Sequence, residues 1–559
     1  MQNTSKPLGS LADIPSVPMR MVYRHPFAWV ATHWRLGLVL LHLTVALPLS
    51  YSLNIWIDEA YSLNTVQDGL WVAVQRAITL EQQPPLYFAL LSLWQQGHES
   101  IFGARLLSVI CTGLTVWVTP AICRRYAPRI HPAWMTVAVA LHPYLIWAAV
   151  EIRPYALGIG LSALLLLFFY DGFLRPDGIR PWARVAYGAV AVTAAYVNYL
   201  LVLGLVANAI ALLAVNRKQF WPHLRVLILA AIAWVPLVLP AFFQLSASRD
   251  SLAHLSSSLP DSTKHTLGCA VIHTVSTCTG YWLGLHHQPY RLVGLVVPGF
   301  LALLAWRLGR QRRSVAPTQW VLWLSTAAMA LLLLLLLYAT DRVAGAESYT
   351  FILFVPVIVS LFAAFSCLRQ GDRHRLLAFW LGGVLLPAYL ATLTVVYNPL
   401  AKQGDWRRVS QAIEAQEGSN QPILVFYAEA ALPLSHHYRG INTLVPIPQP
   451  VGIEEYNFQD AALRNTAQVA VALADLEGTF ETAWLITMPN QHLDDPSLGD
   501  CPVLGLAMNC WILEDYVRSH YTVVARQDFY HTTLRQLQPR RPAALVGGAV
   551  GGVGRGAPD

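Results

Sequence analysis

The chain has 559 residues, of which 55% are hydrophobic and only 12% charged. A soluble domain carries about 25% charged residues, so the composition points away from a water-soluble protein, and long unbroken apolar runs point away from a membrane β-barrel. The net charge of +7 is no sign of a nucleic-acid partner, because most basic residues lie in short connections between apolar runs, where they orient helices.

In chain order, segment 1–35 carries Lys6, Arg20, Arg24 and Arg35 and no early apolar core. It reads as a cytoplasmic N-terminus, with the first span serving as an uncleaved signal. Spans are expected at 36–56, 104–122, 133–150, 155–170, 185–197, 199–215, 226–243, 292–306, 319–339, 350–366 and 376–397, about eleven helices in all. Arginine and lysine then sort by side. One set of connections holds Arg124, Arg125, Arg129, Arg175, Arg180, Arg184, Arg217, Lys218, Arg225, Arg307, Arg310, Arg312, Arg313, Arg369, Arg373 and Arg375. The short connections on the opposite side hold chiefly Arg153 and Arg342. The basic side is expected in the cytoplasm, which places Asp58, Glu59, Arg153 and the C-terminal segment outside. This topology depends on 185–215, an apolar stretch of 31 residues, crossing twice with a turn near Tyr196–Tyr199; one crossing would invert everything downstream.

Two long external loops are expected, 57–103 and 244–291. In the first, Leu63, Val66, Leu70, Val74 and Ala77 recur at helical spacing within Tyr61 to Leu80, as in an amphipathic helix lying on a membrane surface. Pro84-Pro85 then stops any helix. In the second, Ser246 to Ser262 reads as flexible and Tyr281, Trp282 and Tyr290 as interfacial. After Asn398 the composition becomes that of a soluble domain, spanning 398–538. Asp405 to Glu417 and Leu513 to Tyr521 read as helices, and 422–427, 483–487 and 522–526 as strands, together a small α/β domain. A Gly/Ala/Pro-rich tail, 539–559, is expected to be disordered. Of seven cysteines, Cys111, Cys123 and Cys367 fall in or beside spans. Cys269/Cys278 and Cys501/Cys510 are close pairs that suit either disulfides or free thiols.

The chemistry concentrates at the outer face. Asp58 and Glu59, in N-I-W-I-D-E-A-Y-S-L, follow the first span directly. An acidic pair at a helix mouth is commonly just solvated, but carboxylates at this depth are costly and tend to have a task or a partner. One could deprotonate an acceptor hydroxyl, or hold a divalent metal that does so. Glu151-Ile152-Arg153-Pro154-Tyr155 occupies a very short external turn. Its two charges could simply pair; alternatively Arg153 binds an anion, for which its forked donors suit phosphate. Arg76, Arg105, Arg342 and Lys402 are further cations on that face. For Arg105, snorkelling to the interface and phosphate contact are equally good readings. Arg342 follows Asp341 and could pair with it, and packing alone accounts for Trp406-Arg407. There is no Walker A sequence, no G-x-G-x-x-G after a strand and no H-E-x-x-H, and His286-His287 and His436-His437 are poorly spaced for a shared metal.

Six motifs in order carry a resemblance: D-E-A-Y-S at 58–62, Q-P-P-L-Y at 83–87, F-G-A-R-L-L-S at 102–108, E-I-R-P-Y-A-L at 151–157, A-Y-V-N-Y at 195–199 and G-D-W-R-R-V at 404–409. Over most of 36–410 the chain resembles GT-C glycosyltransferases, in the group of protein O-mannosyltransferases and the lipid A aminoarabinose transferase. The resemblance implies a polyprenyl-phosphate-linked sugar donor, an acceptor in the cell envelope (lipid, polysaccharide or protein), inversion at the anomeric carbon and a site outside the plasma membrane. It implies Asp58 as base or acceptor-positioning residue, with Glu59 as its partner. Arg105 and Arg153 fall near the donor, with Glu151 and Tyr155 beside Arg153 in the same motif, and Tyr87 lies on a loop over the cavity. The chain departs from the family pattern at Ser348, where relatives often carry Arg before the tyrosine, and at Asn198, where they often carry His. A transporter or flippase of a lipid-linked sugar is the competing reading; it would be expected to show repeats and midplane charges. An inactive scaffold of the same fold is a third.

Overall fold

The computed structural model describes residues 27–97, 100–258, 300, 303–310, 315–339, 346–402, 404–454, 463–474, 476, 478–487, 501–503, 506–508 and 510–540. Among them, six helices are long and apolar enough to cross a membrane: His33–Ser52, Ile101–Tyr126, Tyr155–Leu174, Arg217–Phe242, Pro317–Ala339 and Gln370–Thr394. Leu86–Gln95, Leu201–Val215 and Phe351–Cys367 are shorter apolar helices. The protein is thus a mostly helical polytopic assembly followed by a small domain built on a five-stranded sheet.

The bundle begins with α1 (Phe27–Ser52), whose helix is interrupted at His33. Four elements of segment 57–103 follow: α2 (Ile57–Val66), α3 (Leu70–Thr79), the Pro84-Pro85 break and α4 (Leu86–Gln95). The single amphipathic helix expected over 61–80 is two helices, because Gly69 takes φ +96°, which side chains other than glycine rarely adopt. α5 (Ile101–Tyr126) starts on a cap in which the Ser100 hydroxyl accepts from the Gly103 N–H at 3.0 Å. The span expected at 133–150 is divided into α6 (Pro132–Ala140) and α7 (Pro143–Ala149). Pro143 has no N–H to continue the helical ladder, and the His142 ring receives the Tyr144 N–H at 3.2 Å. α8 (Tyr155–Phe169) passes into a π-helical turn ending at Leu174.

The stretch 185–215 forms two helices, α9 (Pro181–Val197) and α10 (Leu201–Val215). Between them the Asn198 side chain accepts from the Leu200 N–H at 3.0 Å. α11 runs from Arg217 to Ser258, so the helix continues through residues where a flexible loop was expected from 244. α10 packs along Pro317–Ala339, and α8 against Phe351–Cys367. At the arginine-rich end, Arg125 holds Asp171 with two bonds of 2.9 and 2.6 Å. The span expected at 292–306 lies mostly outside the described residues, as do Cys269, Cys278, Arg342 and the tail from 541.

The sheet order is β2-β1-β3-β7-β6, with β1 (Ile423–Phe426) parallel to β2 (Leu444–Pro446) and β3 (Ala483–Thr487), and β7 (Thr532–Pro539) antiparallel to β3 and β6 (Tyr521–Phe529); β4 (Cys501–Val503) and β5 (Leu506–Met508) pair with each other in a separate ribbon. β1 and β3 are buried at every position, as expected for strands covered on both faces. Because side chains alternate across a strand, Ile423 and Val425 pack on Trp406, Val409 and Ile413 on one face, while Leu424 and Phe426 pack with Val469, Leu473, Leu513 and Val517 on the other. That second cluster also takes in Ile57, Tyr61 and Leu80. The domain is therefore seated on α2 and the end of α3 by a continuous apolar core. Strands β2 and β7 went unrecognised in the sequence: β2 has three residues, and β7 (T-T-L-R-Q-L-Q-P) is largely polar.

Candidate active site at the mouth of the bundle

The site starts from an unfinished helix end. α1 stops at Ser52, leaving carbonyls without intrahelical partners, and the chain turns through Leu53-Asn54-Ile55-Trp56 into α2. Arg105, on the second turn of α5, reaches across and closes this end. Its Nη1 donates to the carbonyls of Ser50 (3.0 Å) and Leu53 (2.7 Å), and its Nη2 to that of Asn54 (2.8 Å). Nε and Nη2 then form a bidentate pair with Glu59 at 3.0 and 2.8 Å. Arginine has five N–H donors, and these five bonds use all of them. Arg105, expected near the donor phosphate, is thus committed to the protein, with its side chain and that of Glu59 both at 0% exposure.

Glu59 receives more. The Ile152 N–H reaches Oε1 at 3.0 Å, and the Lys402 ammonium reaches Oε2 at 2.7 Å. Burial alone would push Glu59 up, but Arg105 and Lys402 outweigh it and hold the carboxyl below its ordinary range. Lys402 arrives from the connection to the soluble domain and also donates to Glu151 Oε1 (3.0 Å) and the Val150 carbonyl (2.6 Å). Glu151 accepts from the Trp56 indole at 2.6 Å through its other oxygen. Burial pushes Glu151 up to about 7, with the nearby Glu59 charge adding to it and Lys402 opposing. Two acids and two cations thus form a closed, buried group.

Asp58 points elsewhere. Its side chain is 35% exposed, and its nearest cation is Arg153, with Nη2 4.0 Å from Oδ2. Arg153 Nη1 donates to Glu81 Oε2 (2.6 Å), the Ser62 hydroxyl (3.1 Å) and the Asp58 carbonyl (3.3 Å). Its Nε has no hydrogen-bond partner among the described residues. Ser62 and Thr65 hydroxyls approach Glu81 Oε1 at 3.4 Å each. Burial raises both Asp58 and Glu81 above the usual carboxylate range, with Arg153 opposing each shift. This half of the site has two carboxylates, one arginine with donor capacity to spare, and one carboxylate open to the outside.

The structure therefore brings Asp58, Glu59, Arg105, Glu151 and Arg153 together and gives them different settings. Tyr87, on the first turn of α4, is buried, and its hydroxyl has no hydrogen-bond partner among the described residues. Tyr155 stacks on Trp147, with ring centroids 4.9 Å apart and planes at 27°. Arg76, another cation of this face, pairs with Asp68 and Glu454 at 2.5 Å each and ties α3 to the soluble domain. Two members were missed or undervalued in the sequence. Glu81 lies three residues before Pro84 in E-Q-Q-P-P, and its signal was that it is the single charged residue between Arg76 and Glu99. Lys402 looked like one interfacial cation among several. Among the described residues, no three His, Cys, Asp or Glu side chains converge as a metal-ligand set.

No family model matches the sequence, and no curated protein does. Among solved structures, ArnT from Cupriavidus metallidurans bound to undecaprenyl phosphate aligns over 90% of this chain and 98% of its own, at 13% identity and a TM-score of 0.41. The oligosaccharyltransferase of Archaeoglobus fulgidus, tethered to an acceptor peptide, aligns over 89% of this chain and 73% of its own, at 11% identity and a TM-score of 0.47. These neighbours are GT-C membrane glycosyltransferases, the group that the sequence motifs resemble.

Proposed function

We propose that this chain is an integral-membrane glycosyltransferase that moves a sugar from a polyprenyl-phosphate carrier to a hydroxyl of a cell-envelope acceptor, on the outer side of the plasma membrane. The observation that carries this reading is the contrast among four acids at one helix mouth: Glu59, Glu81 and Glu151 are buried in ion pairs, while Asp58 alone opens outward beside an arginine with unused donors.

The chemistry follows from that contrast. Asp58 takes the proton of the acceptor hydroxyl as its oxygen bonds to the anomeric carbon. The bond from that carbon to the phosphate oxygen breaks, its electron pair leaves with the polyprenyl phosphate, and a single displacement inverts the centre. Negative charge grows on the leaving phosphate, where a preorganised cation acts best. Arg153 is the candidate, since Arg105 has no donor left. The test uses purified full-length protein in vesicles with undecaprenyl phosphate carrying radiolabelled mannose, glucose, galactose or aminoarabinose in separate reactions, plus envelope extract. Label moving from the carrier to an extract component supports transfer. Label that only changes leaflet identifies a flippase instead.

The orientation rests on arginine-rich connections facing the cytoplasm. A phosphatase reporter fused after Gln538 is expected to be active, and a reporter active only in the cytoplasm would overturn the placement of the site.

A further inference from the structure

We propose that Lys402 is a positioning residue of the transfer site, so that the connection to the soluble domain, and not the bundle alone, sets the direction of Asp58. The proposal rests on the reading of Asp58 as base.

The connection is held at several points. The Lys402 N–H donates to Asn54 Oδ1 at 2.7 Å, and the Asn54 amide donates back to the Gly404 carbonyl. Gly404 has φ +92°, and a Cβ there would lie 2.5 Å from the buried Trp406 ring. Arg407 donates to the Ser52 carbonyl at 3.0 Å. Lys402 and 404–407 thus lie strapped across the end of α1 and the turn into α2, with the Lys402 side chain nearly buried.

There, among the described residues, Lys402 is the one cation paired with both Glu59 and Glu151, beside the bundle's own bonds from Ile152 and Arg153 to α2. Its three ammonium donors reach Glu59, Glu151 and the Val150 carbonyl, tying α2 to the turn before α8. Arg105 pairs with Glu59 only. Without Lys402, Glu59 keeps its pair with Arg105, but Glu151 loses its one cation among the described residues, and its Oε1 faces Glu59 Oε2 across the emptied place, where a second buried carboxylate without a cation is strongly unfavourable. The group relaxes by protonation or by separation, and separation turns the first turn of α2, which carries Asp58. A base displaced by about 1 Å costs on the order of 100-fold in rate.

The test compares the wild type, Lys402→Met, Lys402→Met with Glu151→Gln, and Asp58→Asn, as full-length proteins in vesicles with whichever undecaprenyl-phosphate sugar the wild type transfers. Lys402→Met is expected to lower kcat about 100-fold with the donor KM within about threefold. The second substitution removes the like-charge conflict and is expected to recover about tenfold of kcat. A simple packing or tethering role for Lys402 would show no such recovery. Lys402→Met turning over within threefold of wild type, or losing donor KM alone, would overturn the proposal, as would a double variant no faster than the single one. The double variant leaves no unmatched buried charge, so it reports even if Lys402→Met does not accumulate; wild-type turnover in it would overturn the proposal too. Asp58→Asn separates the two ideas: full activity there defeats the base assignment itself, whatever Lys402→Met does.

Discussion

Asp58 and Glu59 are adjacent on the first turn of α2, yet the Asp58 side chain is 35% exposed and that of Glu59 is fully buried against Arg105. Successive helix residues point about 100° apart, so the turn that drives Glu59 into the bundle leaves Asp58 partly exposed. The buried member anchors the open one.

The two acids should therefore fail differently. Asp58→Asn is expected to abolish sugar transfer with little change in thermal stability. Glu59→Gln strands the Arg105 charge and weakens the hold on Lys402, a loss of about 3–5 kcal/mol for a broken buried pair. Melting and transfer measured together check this: a Glu59→Gln protein as stable as wild type would refute the anchoring role.

Transfer should have an acid limb above the range of an ordinary carboxylate, about 3.9. Burial raises Asp58, the Glu59 charge adds to the rise and Arg153 opposes it. A base must be ionised, so activity is present above the raised value and is lost as pH falls through it. Arg153→Gln removes the opposing cation and should move the limb of the residual activity to still higher pH. Profiles of kcat/KM for both proteins test this, and a limb moving to lower pH would contradict it.

Glu151 should make stability depend on pH near neutrality. Its folded value of about 7 stands above the ordinary 4.5, so the folded protein favours the neutral acid. That contribution is complete below about 4.5 and is lost as pH rises through 7. Between about pH 5 and 7.5, wild type should lose on the order of 1–3 kcal/mol relative to Glu151→Gln, which does not titrate. Melting temperatures of both proteins across this window give the comparison; a gap that stays constant would remove the basis for it.

Gly404→Ala probes the strap. Its backbone lies in the left-handed region, and the new methyl would meet the Trp406 ring at 2.5 Å. Strain of about 1–3 kcal/mol should loosen 402–407 and expose Lys402 and Arg407 to trypsin. Cleavage at the wild-type rate would show that the strap tolerates the change.

Much of this protein was legible in its residues. Hydropathy located the long spans, because a bilayer demands an apolar length that local composition reveals. Short continuous apolar runs gave β1 and β3, and the helices beside them were read as well. The placement of 185–215 as two helices came from the arginine distribution, and the structure has both. Where local chemistry overrode periodicity, the sequence reading blurred: Pro143 divides one expected span and Gly69 one expected surface helix.

The Asp58-Glu59 pair, the Arg153 turn and their gathering on one face were also within reach of the sequence. Which acid would be buried was not. Residue type cannot distinguish an arginine that caps a helix end from one that awaits a phosphate; Arg105 is settled by three carbonyls of the preceding helix and by Glu59. Lys402 meets Glu59 across 343 residues of chain, a distance at which no pattern of spacing carries information. Local propensity and hydropathy sum over neighbours in sequence, whereas the partition of buried charge depends on which groups the fold brings within about 3 Å, and that is fixed only when the bundle, the external loop and the soluble domain close on one another.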